Sequence, residues 1–276
     1  VYHNNPCLRL AWPSLFVRKP AVIALRTWVS RTNGDLQWQD KLKLNYLKCA
    51  ASVIAISEAV RRKCWPGARV IPNPYRADVD KVDPGVKQRA GFVFLGRLVS
   101  DKGADMAIRA MHQILASDVS ARLYDRETFS LTIIGEGPDE AKLRQLVNRL
   151  GLNSSVTFAG ILRGQSLVDC LNRHKYLLVP SVWEEPFGNV ALEGMACGCI
   201  PIVSDGGGLP EAVGNAGLVF SRGNVDSLTH TILRLLNDES MQERLLGAAS
   251  SQLEVHHPEL IAKRYLQVIE GAKVQA

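Results

Sequence analysis

From residue 91 onward the chain alternates regularly between two periods. Short apolar runs at 91–95, 131–134, 156–159, 176–179, 200–204 and 217–220 are bounded by polar or turn residues, as buried strands are. Between them, apolar positions spaced three and four apart at 105–115, 139–150, 166–172, 189–197 and 225–236 predict helices. Gly151 stands where the second of these needs a C-cap. A last helix is predicted over 258–271. Strands alternating with helices are the pattern of βαβ units on a parallel sheet. The first part is less regular. Residues 22–25 read as a buried strand, and 37–49 as a helix with apolar positions at Leu42, Leu44, Tyr46 and Leu47. Two further strands are predicted at 51–57 and 70–71. Ile71-Pro72-Asn73-Pro74-Tyr75 follows, and its two prolines favour a linker. No internal repeat or low-complexity segment is evident.

Composition narrows the class. The chain has 276 residues, 46% hydrophobic and 22% charged, which excludes disordered, collagen-like and coiled-coil classes. A chain this long buries roughly 70–75% of its unfolded surface, so its core needs no disulfide or metal. No apolar run approaches the ~18 residues of a membrane-spanning helix. The chain starts at Val1 with no visible signal peptide, and it reads as cut from something longer. Six cysteines, at 7, 49, 64, 170, 197 and 199, show no metal spacing. The expectation is reduced, buried thiols in a cytosolic protein.

Charge is unevenly spread. Residues 1–90 hold 16 Lys+Arg and 6 Asp+Glu, net +10, whereas residues 91–276 hold 17 and 21, net −4. The first part can face something acidic, and a membrane surface, an anionic lipid acceptor or a nucleic acid would each do. A solvated basic face without a partner is the alternative. No nucleic-acid module is present, and no nucleic-acid partner is expected.

In doubly wound sheets ligands bind beyond the carboxyl ends of the strands. After 91–95 comes Gly96-Arg97-Leu98-Val99-Ser100-Asp101-Lys102-Gly103, with two cations on a glycine-bracketed loop before a helix start. Such a loop suits a diphosphate, although a solvated turn would look the same. Gly135-Glu136-Gly137-Pro138 lacks the third glycine of a dinucleotide fingerprint, and a tight turn explains it equally. After 176–179 comes Pro180-Ser181-Val182-Trp183-Glu184-Glu185-Pro186-Phe187-Gly188-Asn189-Val190-Ala191-Leu192-Glu193. Pro186 can open a helix there, Gly188 frees the backbone, and the helix start presents amides to a ligand. Glu185 would precede the helix and Glu193 lie two turns in. Eight helical residues rise about 12 Å, too far for an acid–base dyad but suited to gripping two polyol units of one ligand. Two exposed glutamates are the plain alternative. The glycines of Asp205-Gly206-Gly207-Gly208-Leu209-Pro210-Glu211 allow close ligand approach or a flexible connector. Asp78-Val79-Asp80 and His256-His257 are set aside as metal ligands, by context and by helix geometry.

The ordered set resembles the retaining glycosyltransferases of family 4, which have the GT-B fold. The residues that carry the resemblance are Gly96-Arg97 with Lys102-Gly103, Gly135-Glu136-Gly137-Pro138, Val156-Thr157-Phe158-Ala159-Gly160, Glu185-Pro186-Phe187-Gly188 with Glu193, and Gly206-Gly207 with Glu211. The resemblance implies an α/β protein with two Rossmann-like doubly wound parallel-sheet domains and a nucleotide sugar in the cleft. The implied division is a partial acceptor-side domain at 1–75, a nucleotide-sugar domain at 76–255, and a helix at 256–276 returning to the first domain. Arg97 and Lys102 would bind the donor diphosphate and stabilise the departing charge. Glu185 would contact the donor sugar, Glu193 the ribose, and the base would lie near Ile161 and Leu162. Gly96, the amides of Phe187, Gly188 and Asn189, and Val190 complete the donor set. Neither a metal nor a cofactor is implied.

Two departures stand out. The family's glycine-rich loop after its first N-terminal strand has no counterpart before residue 30, and residues 1–6 look like the fourth strand of that domain. The first three strands are therefore expected to be missing. A histidine that many members place after the strand at 21–25 is here Arg26 or Thr27, with His3 as a candidate substitute. The expected activity is transfer of a hexose from a UDP- or GDP-sugar to a glycan or lipid-linked acceptor. The alternative is a nucleotide-sugar-binding module or fragment without turnover. The expected location is the cytoplasm, with peripheral contact to the inner face of the membrane through residues 1–90 as an option.

Overall fold

The computed structural model describes residues 1–6, 19–30, 36–116 and 129–274. It divides into two units, Val1–Pro74 with Val255–Ala276, and Tyr75–Glu254. The first unit holds a parallel sheet in the order β1 (Tyr2–Asn4), β2 (Val22–Leu25), β3 (Ser52–Ala55), β4 (Arg69–Val70). Val22 pairs with Tyr2 on one side and Ser52 on the other. All four residues of β2 are buried, which is why it reads as an unbroken apolar run. Helix α1 (Trp38–Leu47) lies between β2 and β3 in the chain, and α2 (Glu58–Cys64) follows β3. The C-terminal helix, Pro258–Val274, lays Ile261, Val268 and Ala272 against Val22, Ala24, Ile54 and Ile71. Arg264 Nη2 donates to the Val70 carbonyl at 2.8 Å and anchors the helix further.

The second unit carries a six-stranded parallel sheet in the order β10-β9-β8-β5-β6-β7. Along the chain it runs β5 (Phe92–Leu95), α3 (Ala104–Leu115), β6 (Leu131–Ile134), α4 (Glu140–Arg149), β7 (Val156–Gly160), α5 (Gln165–Arg173) and β8 (Tyr176–Val179). It continues with α6 (Asn189–Ala196), β9 (Ile200–Ser204), α7 (Leu209–Val213), β10 (Leu218–Phe220), α8 (Val225–Leu236) and α9 (Glu239–Glu254). One contiguous core joins Phe92, Phe94, Ile108, Met111, Leu146 and Ile232. Each such side chain contributes about 1.5–3 kcal/mol on burial. The C-cap of α4 is Leu150, and Gly151, the next residue, takes the left-handed φ of +69° that commonly follows a helix end.

Several expectations are corrected. Ser57 belongs to no strand; its hydroxyl accepts the Val60 N–H at 3.0 Å and caps α2, which the sequence pattern did not reveal. Leu42 is 46% exposed, because Leu42 and Leu44 are two apart and cannot share a helix face. Cys170, Cys197 and Cys199 are buried thiols, but Cys49 is exposed and Cys64 half-buried. Cys7 lies outside the described residues. Burial pushes the Cys197 thiol up to about 12, and Cys199 upward as well, so neither is a thiolate at neutral pH.

Candidate functional site

β5 has β6 on one side and β8 on the other. From β5 the chain builds outward through β6 and β7, and from β8 it builds the opposite way through β9 and β10. The strand order therefore reverses between β5 and β8, and doubly wound sheets bind ligands outside the carboxyl ends of the strands at such a point. The loops leaving these two strands carry Gly96, Arg97, Lys102, Glu185, Phe187 and Gly188, whereas Ile161 and Leu162 follow β7 and Asn189, Val190 and Glu193 lie on α6.

The loop after β5 is anchored to its neighbours through backbone. Leu98 N–H donates to the Glu136 carbonyl at 2.9 Å, and Asp139 N–H returns to the Leu98 carbonyl at 3.0 Å. A Cβ on Gly135 or Gly137 would collide with Gly96 or Leu98 backbone, so that glycine pair is explained by loop packing. Gly96 N–H donates to the Ile134 carbonyl at 3.0 Å, and Arg97 projects exposed beyond it. Ser100–Lys102 forms one 3₁₀ turn, and Gly103 at φ +72° passes the chain into α3.

The loop after β8 folds against this one. Asp101 carbonyl accepts the N–H groups of Val182 at 2.9 Å and Trp183 at 3.1 Å. Lys102 Nζ forms an ion pair with Glu185 Oε1. The Lys102 ammonium also lies 5.2 Å from the centroid of the Trp183 ring. Ser181 Oγ is 3.0 Å from the same Glu185 oxygen. Glu185 forms an isolated parallel bridge with Gly207, and Gly208 N–H donates to its carbonyl at 2.8 Å. Gly207 has φ +66°, and a Cβ there would strike the Glu185 carbonyl oxygen. The close approach at Gly207 is therefore of chain to chain, where the sequence suggested a ligand or a flexible connector.

Pro186 does not open the helix. α6 begins at Asn189 with Gly188 as N-cap at φ +113°, and a glycine N-cap supplies no capping side chain. Glu185 is outside the helix and Glu193 is its fifth residue, little more than one turn in. The helical rise therefore does not measure their separation. Phe187 is 3% exposed, a core anchor for the loop; Val190 is half-buried and Asn189 exposed. Ile161 is 43% exposed just past β7 and Leu162 is half-buried. Burial raises the Glu193 pKa, the Arg76 charge opposes this, and Asp80 adds to it.

Sequence reasoning overlooked Ser181, Trp183, Ser204 and Arg76. Ser181 and Trp183 sit in the loop it flagged, but a lone serine or tryptophan has no spacing signal. Asp80 is buried and takes Arg76 Nη2 at 2.7 Å and Nε at 3.1 Å, so the Asp-x-Asp pair is an internal ion-pair site. In the first unit His3 is buried edge-on to the Tyr46 ring at 6.0 Å. Arg26 Nη1 donates to Asn73 Oδ1 at 3.2 Å. Among the described residues, no group of three or more His, Cys, Asp or Glu side chains is placed to hold a metal ion. A cavity of about 470 Å³ between α3 and α4, lined by Val99, Met106, Leu143 and Val182, includes neither Lys102, Glu185 nor Glu193.

The carboxyl ends of the central strands thus lead into a cation paired to a carboxylate, a second exposed cation, a helix start with a glycine N-cap and a desolvated carboxylate on that helix. The model of the glycosyl transferases group 1 family matches residues 78–252, all of these groups included. The chain belongs to that family. Among group 1 relatives, it is 31% identical over 237 residues to the D-inositol 3-phosphate glycosyltransferase of Acidothermus cellulolyticus, covering 75% of this chain and 52% of that protein. An uncharacterized glycosyltransferase of Methanocaldococcus jannaschii is 34% identical over 183 residues, covering 65% and 44%. The chain spans about half the length of these relatives. Anabaena HepE in complex with UDP superposes with a TM-score of 0.82 at 21% identity, over 95% of this chain and 75% of that one. Sucrose-phosphate synthase from Thermosynechococcus elongatus gives 0.76 at 22%, over 100% and 74%. The fold is that of the GT-B glycosyltransferases, α/β with two parallel sheets.

Proposed function

We propose that the protein is a retaining hexosyltransferase of family 4, using a UDP- or GDP-sugar and a glycan or lipid-linked acceptor. The observation that carries this reading is the convergence of Lys102 and Glu185 at the sheet's switch point, in the loop that leads into α6. Lys102 and Arg97 neutralise the donor diphosphate, and the amides opening α6 add the helix's positive end. Glu185 accepts hydrogen bonds from the sugar hydroxyls, and Glu193 from the ribose hydroxyls. Ile161 and Leu162 flank the base, with backbone at Phe187 to Val190 holding the sugar. The bond from the anomeric carbon to the diphosphate oxygen breaks as the acceptor oxygen bonds to the same face of that carbon. The acceptor proton passes to the departing diphosphate oxygen. No metal or cofactor enters this scheme, because cations and the helix start hold the developing charge. The proposed place of action is the cytoplasmic face of a membrane, contacted through residues 1–90.

Calorimetric titration with UDP, GDP and ADP tests the site. One nucleotide is expected to bind saturably, and Lys102→Ala and Glu193→Ala are each expected to weaken it at least tenfold, the worth of one charged hydrogen bond. Binding that survives both substitutions unchanged overturns the assignment. Turnover is tested with the full-length protein on a panel of UDP- and GDP-sugars, where absence of both transfer and donor hydrolysis overturns the activity.

A further inference from the structure

Glu185 carries two contacts on one carboxylate oxygen, Oε1: the Lys102 ammonium and the Ser181 hydroxyl. Oε2 has no polar partner among the described residues. Ser181 is 1% exposed, so its hydroxyl has no bulk water to turn to. It has one proton and two acceptors in reach, Glu185 Oε1 at 3.0 Å and the Asp101 carbonyl at 3.1 Å. Asp101 carbonyl already accepts two backbone N–H groups, from Val182 and Trp183, and a carbonyl has two lone pairs. The carboxylate is also the stronger acceptor, since a charge-assisted bond is roughly twice as strong as a neutral one. The proton therefore goes to Glu185. Ser181 is itself held, because the fully buried Ser204 on β9 donates its hydroxyl to the Ser181 carbonyl at 2.7 Å.

We propose that Ser181 is the positioning residue for Glu185: its hydroxyl fixes Oε1 so that Oε2 is presented to the donor sugar, independently of Lys102. The inference rests on the reading of Glu185 as the sugar-contacting carboxylate. Its consequence appears when a donor binds. Lys102 is then drawn toward the diphosphate, and the ion pair no longer fixes the carboxylate. The serine bond remains, and keeps the acceptor oriented before the sugar arrives. Ser181 has no role toward the nucleotide, so the effect is confined to the sugar half of the donor.

The test measures dissociation constants for UDP and UDP-glucose, and for GDP and GDP-mannose, on the unmodified protein, Ser181→Ala, Glu185→Ala and the double variant. Ser181→Ala is expected to leave the nucleotide constant within twofold and to raise the nucleotide-sugar constant about tenfold, the loss of one charge-assisted bond's orienting effect. Glu185→Ala produces the same split, and the double variant is no worse than Glu185→Ala alone. Ser204→Ala loosens the same anchor and gives a smaller change in the same direction, which serves if Ser181→Ala does not fold. A Ser181→Ala or Ser204→Ala protein whose nucleotide and nucleotide-sugar constants move together overturns the proposal, as does one in which neither moves. A Glu185→Ala protein with an unchanged nucleotide-sugar constant overturns instead the reading of Glu185 on which it rests.

Discussion

On the proposed reading, Glu193 trades stability for binding. It is half-buried on α6, and burial raises its pKa above that of an ordinary glutamate despite the Arg76 charge. A carboxyl raised on folding contributes its full stability below the ordinary glutamate value, and that contribution is lost as pH rises through the raised one. Glu193→Gln removes this loss. The variant is expected to melt higher than the unmodified protein at neutral pH, with the two converging in acid. Its nucleotide affinity is expected to fall about ten- to hundredfold, because a ribose hydroxyl then meets a neutral acceptor. Melting curves across pH and a nucleotide titration check both arms. An unchanged melting temperature at neutral pH would show that burial is not what shifts this group. At this scale residue type and position in the sequence singled out Arg97, Lys102, Glu185 and Glu193, and the structure brings Lys102 and Glu185 together. Their arrangement was not legible, because the Lys102–Glu185 pair joins positions 83 residues apart that only the sheet's strand order brings together.

At the level of elements, what the sequence showed depended on burial. β6, β8, β9 and α8 have the bounds the pattern predicts, because both faces of the central strands are apolar and α8 has a continuous apolar stripe. α9 was missed: among its 16 residues, Gln242 and Leu245 are the buried ones, so no stripe exists to read. α2, with seven residues, is too short for a helical period to repeat. The connections between elements hold the site together, and Gly207 tests this. Gly207→Ala adds both the strain of φ +66° and a collision with the Glu185 carbonyl. Gly151→Ala is the control, with φ +69° and nothing within 4 Å of the new Cβ. Left-handed strain costs about 1–2 kcal/mol in each. Only Gly207→Ala is expected to lose nucleotide-sugar affinity as well and to melt lower than the control. Equal effects of the two substitutions would mean that the bridge between Glu185 and Gly207 does not position the carboxylate.

Across the whole molecule, charge is the property that no single element reveals. The net +10 of residues 1–90 is not equally available. In the second unit Arg76 is tied to Asp80, and Arg89 donates to Asn172 Oδ1 at 2.6 Å and to the Cys197 carbonyl. In the first unit Lys19, Lys41, Lys48, Arg62, Lys63 and Arg69 are exposed. α1 adds Trp38, 68% exposed, and Leu42, 46% exposed, four residues apart and so on one face, with Lys41 adjacent. No helix among the described residues is long and apolar enough to cross a membrane. A surface contact therefore needs two contributions: about 1 kcal/mol per basic residue held near an anionic bilayer, and burial of the α1 apolar face in the headgroup region. The exposure of Leu42 fits this arrangement. The protein is expected to sediment with phosphatidylserine-containing vesicles at low salt, and to be released as added salt shortens the ~10 Å screening length. Trp38→Ala is expected to weaken the association roughly tenfold without changing its salt slope, whereas Lys41→Glu reduces the slope. Binding indifferent to both lipid charge and salt, or none at all, would leave these basic residues as a solvated surface.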